Sequence, residues 1–244
     1  MTSRFPRLIA HRCGGALAPE NTLAGLRVAA DFGYHGVEFD VMLSADGTPI
    51  LIHDETLERT TNGRGRVADT SDTELARLDA GSWHGAQFAG EPVPTFGDAA
   101  ESCLALGLWA NVEIKPSRGH EAATGRKVAL AARDLWQDMP PPLLSSFSIE
   151  ALTAARAAVP ELPRGLLVVA PPKDWLGTCR RLECVSLHCS RRFFSPQLLD
   201  EAQAADIPLL LYTVNDPLDA AQLLRQGVAA VFTDRIDLIN EQVP

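Results

Sequence analysis

Short apolar runs recur along almost the whole chain, separated by stretches with helical spacing. They sit at Leu8 to Ala10, Gly36 to Leu43, Leu108 to Lys115, Leu143 to Phe147, Gly165 to Ala170, Cys184 to His188, Leu209 to Val214 and Val228 to Thr233. Each is strand-sized, and strands that alternate with helices pair in parallel, because a chain returning through a helix re-enters the sheet in the same direction. Start and stop signals punctuate the helices. Asn21-Thr22 precede Leu23, Leu26 and Ala30, and Ser148 precedes Leu152, Ala155 and Val159. Ser195-Pro196 and Asp216-Pro217 each put an N-cap before a proline at the first helical position, and Gly227 reads as a stop. Eight strands with interleaved helices predict an α/β fold, a TIM (β/α)8 barrel in preference to an open sheet. The 244 residues match the ~250 of one such barrel, so a single domain over 1–244 is expected.

One stretch breaks the alternation. From Asp54 to about Phe96 the chain is polar and turn-rich, with Asn62-Gly63-Arg64-Gly65 and Glu91-Pro92-Val93-Pro94. One short helix is expected there, around Thr73 to Leu78 behind Ser71 or Asp72. A non-barrel segment of this length, about 54–96, reads as a small polar insertion after strand two, a lid or subdomain serving function.

Composition narrows the function. Hydrophobic residues make up 46% and charged ones 22%, enough apolar material for a large core. No run approaches the ~20 apolar residues of a membrane span. Met1 to Pro6 lack the apolar segment of a signal peptide, so a cytoplasmic protein is expected. The cysteines, Cys13, Cys103, Cys179, Cys184 and Cys189, are odd in number and include no C-x-x-C pair, which argues against a disulfide framework or zinc finger. A net charge of −9 without a long basic cluster argues against a nucleic-acid partner. An anionic ligand would be drawn by a few local groups or by a bound cation.

Four segments carry more ionisable groups than a barrel interior tolerates. His11-Arg12 ends strand one, with Pro19-Glu20-Asn21-Thr22 opening the next helix; taken alone, this reads as a capped helix and a hydrogen-bonded loop histidine. In Gly36-Val37-Glu38-Phe39-Asp40-Val41, side chains two apart share a face, so Val37, Phe39 and Val41 pack outward while Glu38 and Asp40 look into the barrel. Two inward carboxylates repel each other unless a cation lies between them. Asn111-Val112-Glu113-Ile114-Lys115 repeats the pattern, with Asn111, Glu113 and Lys115 inward. Three carboxylates suit the oxygen shell of a hard divalent cation, with Lys115 either paired to Glu113 or meeting an anionic substrate. His53-Asp54 follows Pro49 to Ile52, a short strand returning from a turn at Asp46-Gly47. His11 and His53 then sit at strand C-termini, where barrel enzymes place their active sites, as a general acid and base pair. Among the other histidines, His35, His84 and His120 read as surface or loop residues, and His188 as a structural hydrogen-bonding partner near the pocket mouth. Trp83 and Phe88 either close over a substrate or pack the insertion onto the barrel.

These segments together, with Ser145-Ser146-Phe147, Tyr212-Thr213-Val214-Asn215 and Thr233-Asp234, resemble the glycerophosphodiester phosphodiesterases over essentially the whole chain. The resemblance implies a TIM barrel with an insertion after strand two. It also implies hydrolysis of a small-molecule glycerophosphodiester, such as glycerophosphocholine or glycerophosphoethanolamine, to glycerol 3-phosphate and an alcohol. It gives His11 and His53 as general base and general acid, with the direction of each left open, and Glu38, Asp40 and Glu113 as ligands of one divalent cation; cytosolic abundance favours Mg2+ over Ca2+ or Mn2+. Arg12 and Lys115 fall at phosphate-contacting positions, and Tyr212 and Asn215 at the pocket wall. One departure stands out: Cys13 occupies the place of a glycine, a problem if the loop needs positive φ there. The alternatives are a lysophospholipase D, for which the polar insertion supplies little apolar groove, and a catalytically silent binding barrel, which the intact set of five groups disfavours. Oligomeric state leaves no readable signature.

Overall fold

The computed structural model describes residues 5–137 and 139–240, so Met1 to Arg4 and what was expected of them lie outside the described residues. Parallel strands β1 (Leu8–Ala10), β2 (Gly36–Leu43), β4 (Trp109–Ile114), β5 (Leu143–Ser146), β6 (Arg164–Val168), β7 (Cys184–Ser190), β8 (Leu209–Tyr212) and β9 (Ala230–Thr233) follow one another around the sheet. Pairing of β1 with both β9 and β2, Ala10 against Thr233 and Val37, closes the circle. The result is the expected eight-stranded parallel barrel. The ninth strand, β3 (Pro49–Leu51), lies outside it and pairs antiparallel with the end of β2, Val41 against Leu51.

Helices α1 (Leu23–Asp31), α3 (Phe96–Leu106), α4 (Glu121–Trp136), α5 (Ile149–Ala158), α6 (Trp175–Leu182), α7 (Pro196–Ala204) and α8 (Pro217–Gln226) return the chain between barrel strands. Their ends follow the sequence signals. Thr22, Ser148, Ser195 and Asp216 each accept a hydrogen bond from the backbone N–H three residues on, satisfying one orphan donor of the first turn. Gly227 ends α8 at φ 107°, and Val228 bonds back to Leu223, which is why β9 begins at Ala230 rather than at Val228.

The outward face of each strand packs on helices. Phe39 stacks edge-on against Phe96 at 6.2 Å, and Phe96 meets Trp136 at 5.8 Å. The lower lumen is filled by Phe5, Ile9, Leu143, Leu210, Ala230 and Phe232. Glu38 and Asp40 therefore sit above an apolar floor, on the side of the barrel toward the strand C-termini. The long segment after β2 carries β3 and the one-turn α2 (Asp72–Leu75), whose Ser71 and Glu74 form a capping box. It has its own small core, Met42, Ile50, Ile52, Leu57, Val67, Leu75, Ala80 and Val93. No helix among the described residues is long and apolar enough to cross a membrane.

Candidate active site

Parallel pairing of β2 and β4 sets Glu38 beside Asn111 and Asp40 beside Glu113. Carboxylate oxygens of Glu38, Asp40 and Glu113 come within 4.8 Å of one another, all three side chains buried. Their environments differ. Asp40 is compensated: against the burial penalty, Lys115 Nζ lies 3.2 Å away, His53 and Arg12 add attraction and Asn21 Nδ2 donates at 2.9 Å, so its pKa falls below the usual range. Burial and the charge of Asp40 push Glu38 and Glu113 upward, Lys115 only partly offsetting this for Glu113. Asn111 Oδ1, on the same wall, is buried without a hydrogen-bond donor. Three crowded carboxylates and an orphan carbonyl oxygen form an all-oxygen donor set short of positive charge, which fits a hard divalent cation.

Two histidines flank this cluster at the same cavity, which holds about 190 Å³. His11 Nδ1 lies 2.7 Å from Asp234 Oδ1, and His53 Nδ1 lies 2.6 Å from Asp54 Oδ1. Both aspartates are held ionised. Asp54 is lowered first by hydrogen bonds from Arg59; Asp234 is lowered, despite burial, by His11 and Asn215. An ionised carboxylate only accepts, so each Nδ1 donates and each Nε2 is left as the working nitrogen. Burial opposes the charged form of His11, but Asp234 and Glu38 outweigh it and the pKa rises. For His53 burial prevails over the attraction of Asp40, with Lys115 and Arg12 adding to it, and the pKa falls.

The other residues singled out from sequence divide. Arg12 reaches the cavity, with Nη1 donating to Glu20 at 2.9 Å and Nε buried without an acceptor. Lys115 spans Asp40 and Glu113, at 3.2 and 3.4 Å. Tyr212 lines the cavity by its ring, because its hydroxyl donates to Val168 O. Asn215 clamps Asp234 instead of facing the cavity: its Nδ2 donates to Asp234 Oδ2 and its Oδ1 accepts from Asp234 N.

The braces are what sequence reasoning missed. Thr233-Asp234 stood only as a matching segment, and Arg59, which binds Glu20 and Asp54 in two-pronged fashion, carried no signal in its turn-rich surroundings. Cys13 does occupy positive φ, 75°, after Arg12 at 49°. The turn a glycine would take is thus made by a buried cysteine, and Gly15 keeps the close approach: a Cβ there would lie 2.4 Å from Asp234 O.

His188 sits inside β7, fully buried at the cavity floor, 3.0 Å from Ser186 Oγ and against the Phe232 ring. Burial alone drives its pKa down to about 3. The unfolded chain takes up this proton below ~6.5 while the folded one resists, so its stability contribution is complete above pH 6.5 and lost as pH falls. Relative to His188→Asn, the protein should lose about 2 kcal/mol between pH 7 and pH 5 in urea titrations. Parallel curves for the two proteins would mean that His188 titrates normally in the fold.

A sequence model of the glycerophosphoryl diester phosphodiesterase family matches residues 11–238, from the first of these histidines to beyond the aspartate that braces it. The chain belongs to this family. A glycerophosphodiester phosphodiesterase of Caldanaerobacter subterraneus subsp. tengcongensis is 33% identical over 93% of both chains. Among solved structures, an Oleispira antarctica phosphodiesterase in complex with its product sn-glycerol-3-phosphate superposes with a TM-score of 0.90 and 42% identity, covering 94% of this chain and 93% of that one. A glycerophosphodiester phosphodiesterase of Agrobacterium tumefaciens gives 0.78 and 28%, over 96% and 98%. The family is one of enzymes, and this member is a phosphodiesterase of glycerophosphodiesters built on a TIM barrel.

Proposed function

We propose that the enzyme cleaves small glycerophosphodiesters, such as glycerophosphocholine and glycerophosphoethanolamine, to glycerol 3-phosphate and an alcohol. Glu38, Asp40 and Glu113 hold one divalent cation, Mg2+ before Ca2+ or Mn2+. The observation that carries this reading is the meeting of two carboxylate-braced imidazoles and three buried carboxylates at one cavity. When bound, the cation offsets negative charge building on the phosphate oxygens. Arg12, whose Nε has no hydrogen-bond acceptor, and Lys115 supply further positive charge to the phosphate. One imidazole takes the proton of the attacking oxygen as the new P–O bond forms. The other protonates the alcohol oxygen as its bond to phosphorus breaks. The attacking oxygen is that of water or of the glycerol C2 hydroxyl. In the second case a cyclic phosphate results, and water opens it to glycerol 3-phosphate in a second step with the roles of the imidazoles exchanged. Tyr212 walls the glycerol side. We place this activity in one domain and in the cytosol, where five buried free cysteines would stay reduced.

The test is a coupled assay for glycerol 3-phosphate released from glycerophosphocholine, after EDTA treatment and after adding back Mg2+, Mn2+ or Ca2+. Metal-restored release is expected. No release with any metal, from folded protein, would overturn the proposal. A second reading, cleavage of lysophospholipids, draws on exposed Phe147, Ile149 and Val169 beyond β5 and β6. It predicts faster choline release from lysophosphatidylcholine than from glycerophosphocholine.

A further inference from the structure

A second and larger cavity, about 480 Å³, adjoins the first, and the two share His11 and Arg12. Its outer wall is Trp83 and His84 from the segment after β2, and Glu20 and Asp234 also line it. Sequence spacing marked His84 only as a loop residue, yet it ties this segment to the barrel, its Nε2 donating to Ala16 O at 3.1 Å. Its ring stands edge-on to Trp83 at 5.5 Å and to Phe88 at 5.4 Å. The indole N–H of Trp83 donates to Ala80 O at 2.8 Å, so the ring is fixed by its edge while the residue stays 43% exposed. A fixed aromatic surface is thus held at the mouth of the cavity that contains one of the two working imidazoles.

The cavities differ in size and lining. The inner one contains Lys115 and an apolar wall of Phe147, Leu167 and Phe232, and its volume suits a three-carbon polyol phosphate. The outer one is lined by Glu20 and Asp234, already paired with Arg12 and His11, and by the Trp83 and His84 rings, and its volume leaves room for groups of different size. In a glycerophosphodiester the glycerol phosphate is constant and the alcohol varies, so the smaller cavity fits the constant part. The alcohol then leaves beside His11, which borders both cavities, whereas His53 borders the inner one.

We propose that the outer cavity is the subsite for the alcohol moiety and that it favours alcohols bearing an ammonium group, held against the Trp83 indole. This rests on the hydrolytic reading above. The attraction is that of a cation for the negative face of an aromatic ring, strongest for tryptophan. On this assignment His11 gives its proton to the departing alcohol oxygen, which leaves with the electron pair of the broken P–O bond, and His53 takes the proton from the attacking oxygen.

The experiment compares kcat/KM for glycerophosphocholine with that for glycerophosphoglycerol, whose alcohol is uncharged, in the wild type, Trp83→Ala and Trp83→Phe. The choline-to-glycerol ratio should fall about 5- to 10-fold in Trp83→Ala and recover most of the loss in Trp83→Phe. An unchanged ratio, whether both substrates suffer equally or neither does, would overturn the assignment. Choline titration of intrinsic tryptophan fluorescence separates this from the fate of the hydrolytic reading. If the wild type cleaves neither diester but shows a saturable choline response that Trp83→Phe lacks, the subsite stands and the hydrolytic reading falls. Inactivity without a choline response removes both.

Discussion

His11→Ala and His53→Ala should each lower kcat by at least ~100-fold, the usual worth of a positioned acid or base. The expectation comes from the way each imidazole is held. Asp234 and Asp54 fix the Nδ1 protons at 2.7 and 2.6 Å, and these aspartates are themselves tied down, one by Asn215 and the other by Arg59. Such bracing sets tautomer and ring orientation before substrate arrives, and neither alanine variant nor an incoming water can reproduce it. Asp234→Asn should cost less than removal of the ring, since the amide can still occupy the space but can present either a donor or an acceptor to Nδ1. Steady-state kinetics on the four proteins, with thermal melts to show that each is folded, checks both points. Near-normal turnover in either folded histidine variant would remove that residue from the chemistry.

What could be read from the chain and what could not follow a physical line. β2 was legible to the residue, Gly36 to Leu43, because its two faces carry opposite chemistry: Val37, Phe39 and Val41 must meet helices, and Glu38 and Asp40 must not. The same alternation exposed Glu113 and Lys115 one strand over. Local periodicity encodes the face of a side chain but not its partner across the barrel. The contact of His11 with Asp234 joins positions 223 apart in sequence, made adjacent only when β9 closes on β1. Arg59 and His84 were illegible for a related reason. Both lie in the segment after β2, where turns replace periodicity, and each acts through one long-range contact, Arg59 with Glu20 and His84 with Ala16. Cys13 is the opposite case, since the positive φ that the motif's usual glycine implied is present and a cysteine adopts it.

Glu113→Gln should reduce activity on the order of 1,000-fold, the several kcal/mol that a divalent cation contributes at a phosphoryl centre, and yet make the metal-stripped protein more stable. The two effects have one origin. Glu113 lies among carboxylate oxygens no more than 4.8 Å apart, where burial and the neighbouring charges of Asp40 and Glu38 disfavour its ionised form. Deleting its charge without changing its shape relieves like-charge repulsion, worth on the order of 1 kcal/mol once Lys115 is allowed for. Cation binding reverses the balance: the wild type should gain about 2.7 kcal/mol at a hundredfold excess of Mg2+ over Kd, and the variant far less at the same concentration. Urea unfolding of both proteins with EDTA and with Mg2+ gives the four numbers required. The competing role for Glu113 is structural, as the partner of Lys115 at 3.4 Å. That role predicts the opposite sign with EDTA present, because Lys115 would lose a buried counter-charge and the variant would be the less stable of the two. A more stable variant that no longer responds to Mg2+ would therefore assign Glu113 to the cation rather than to the lysine.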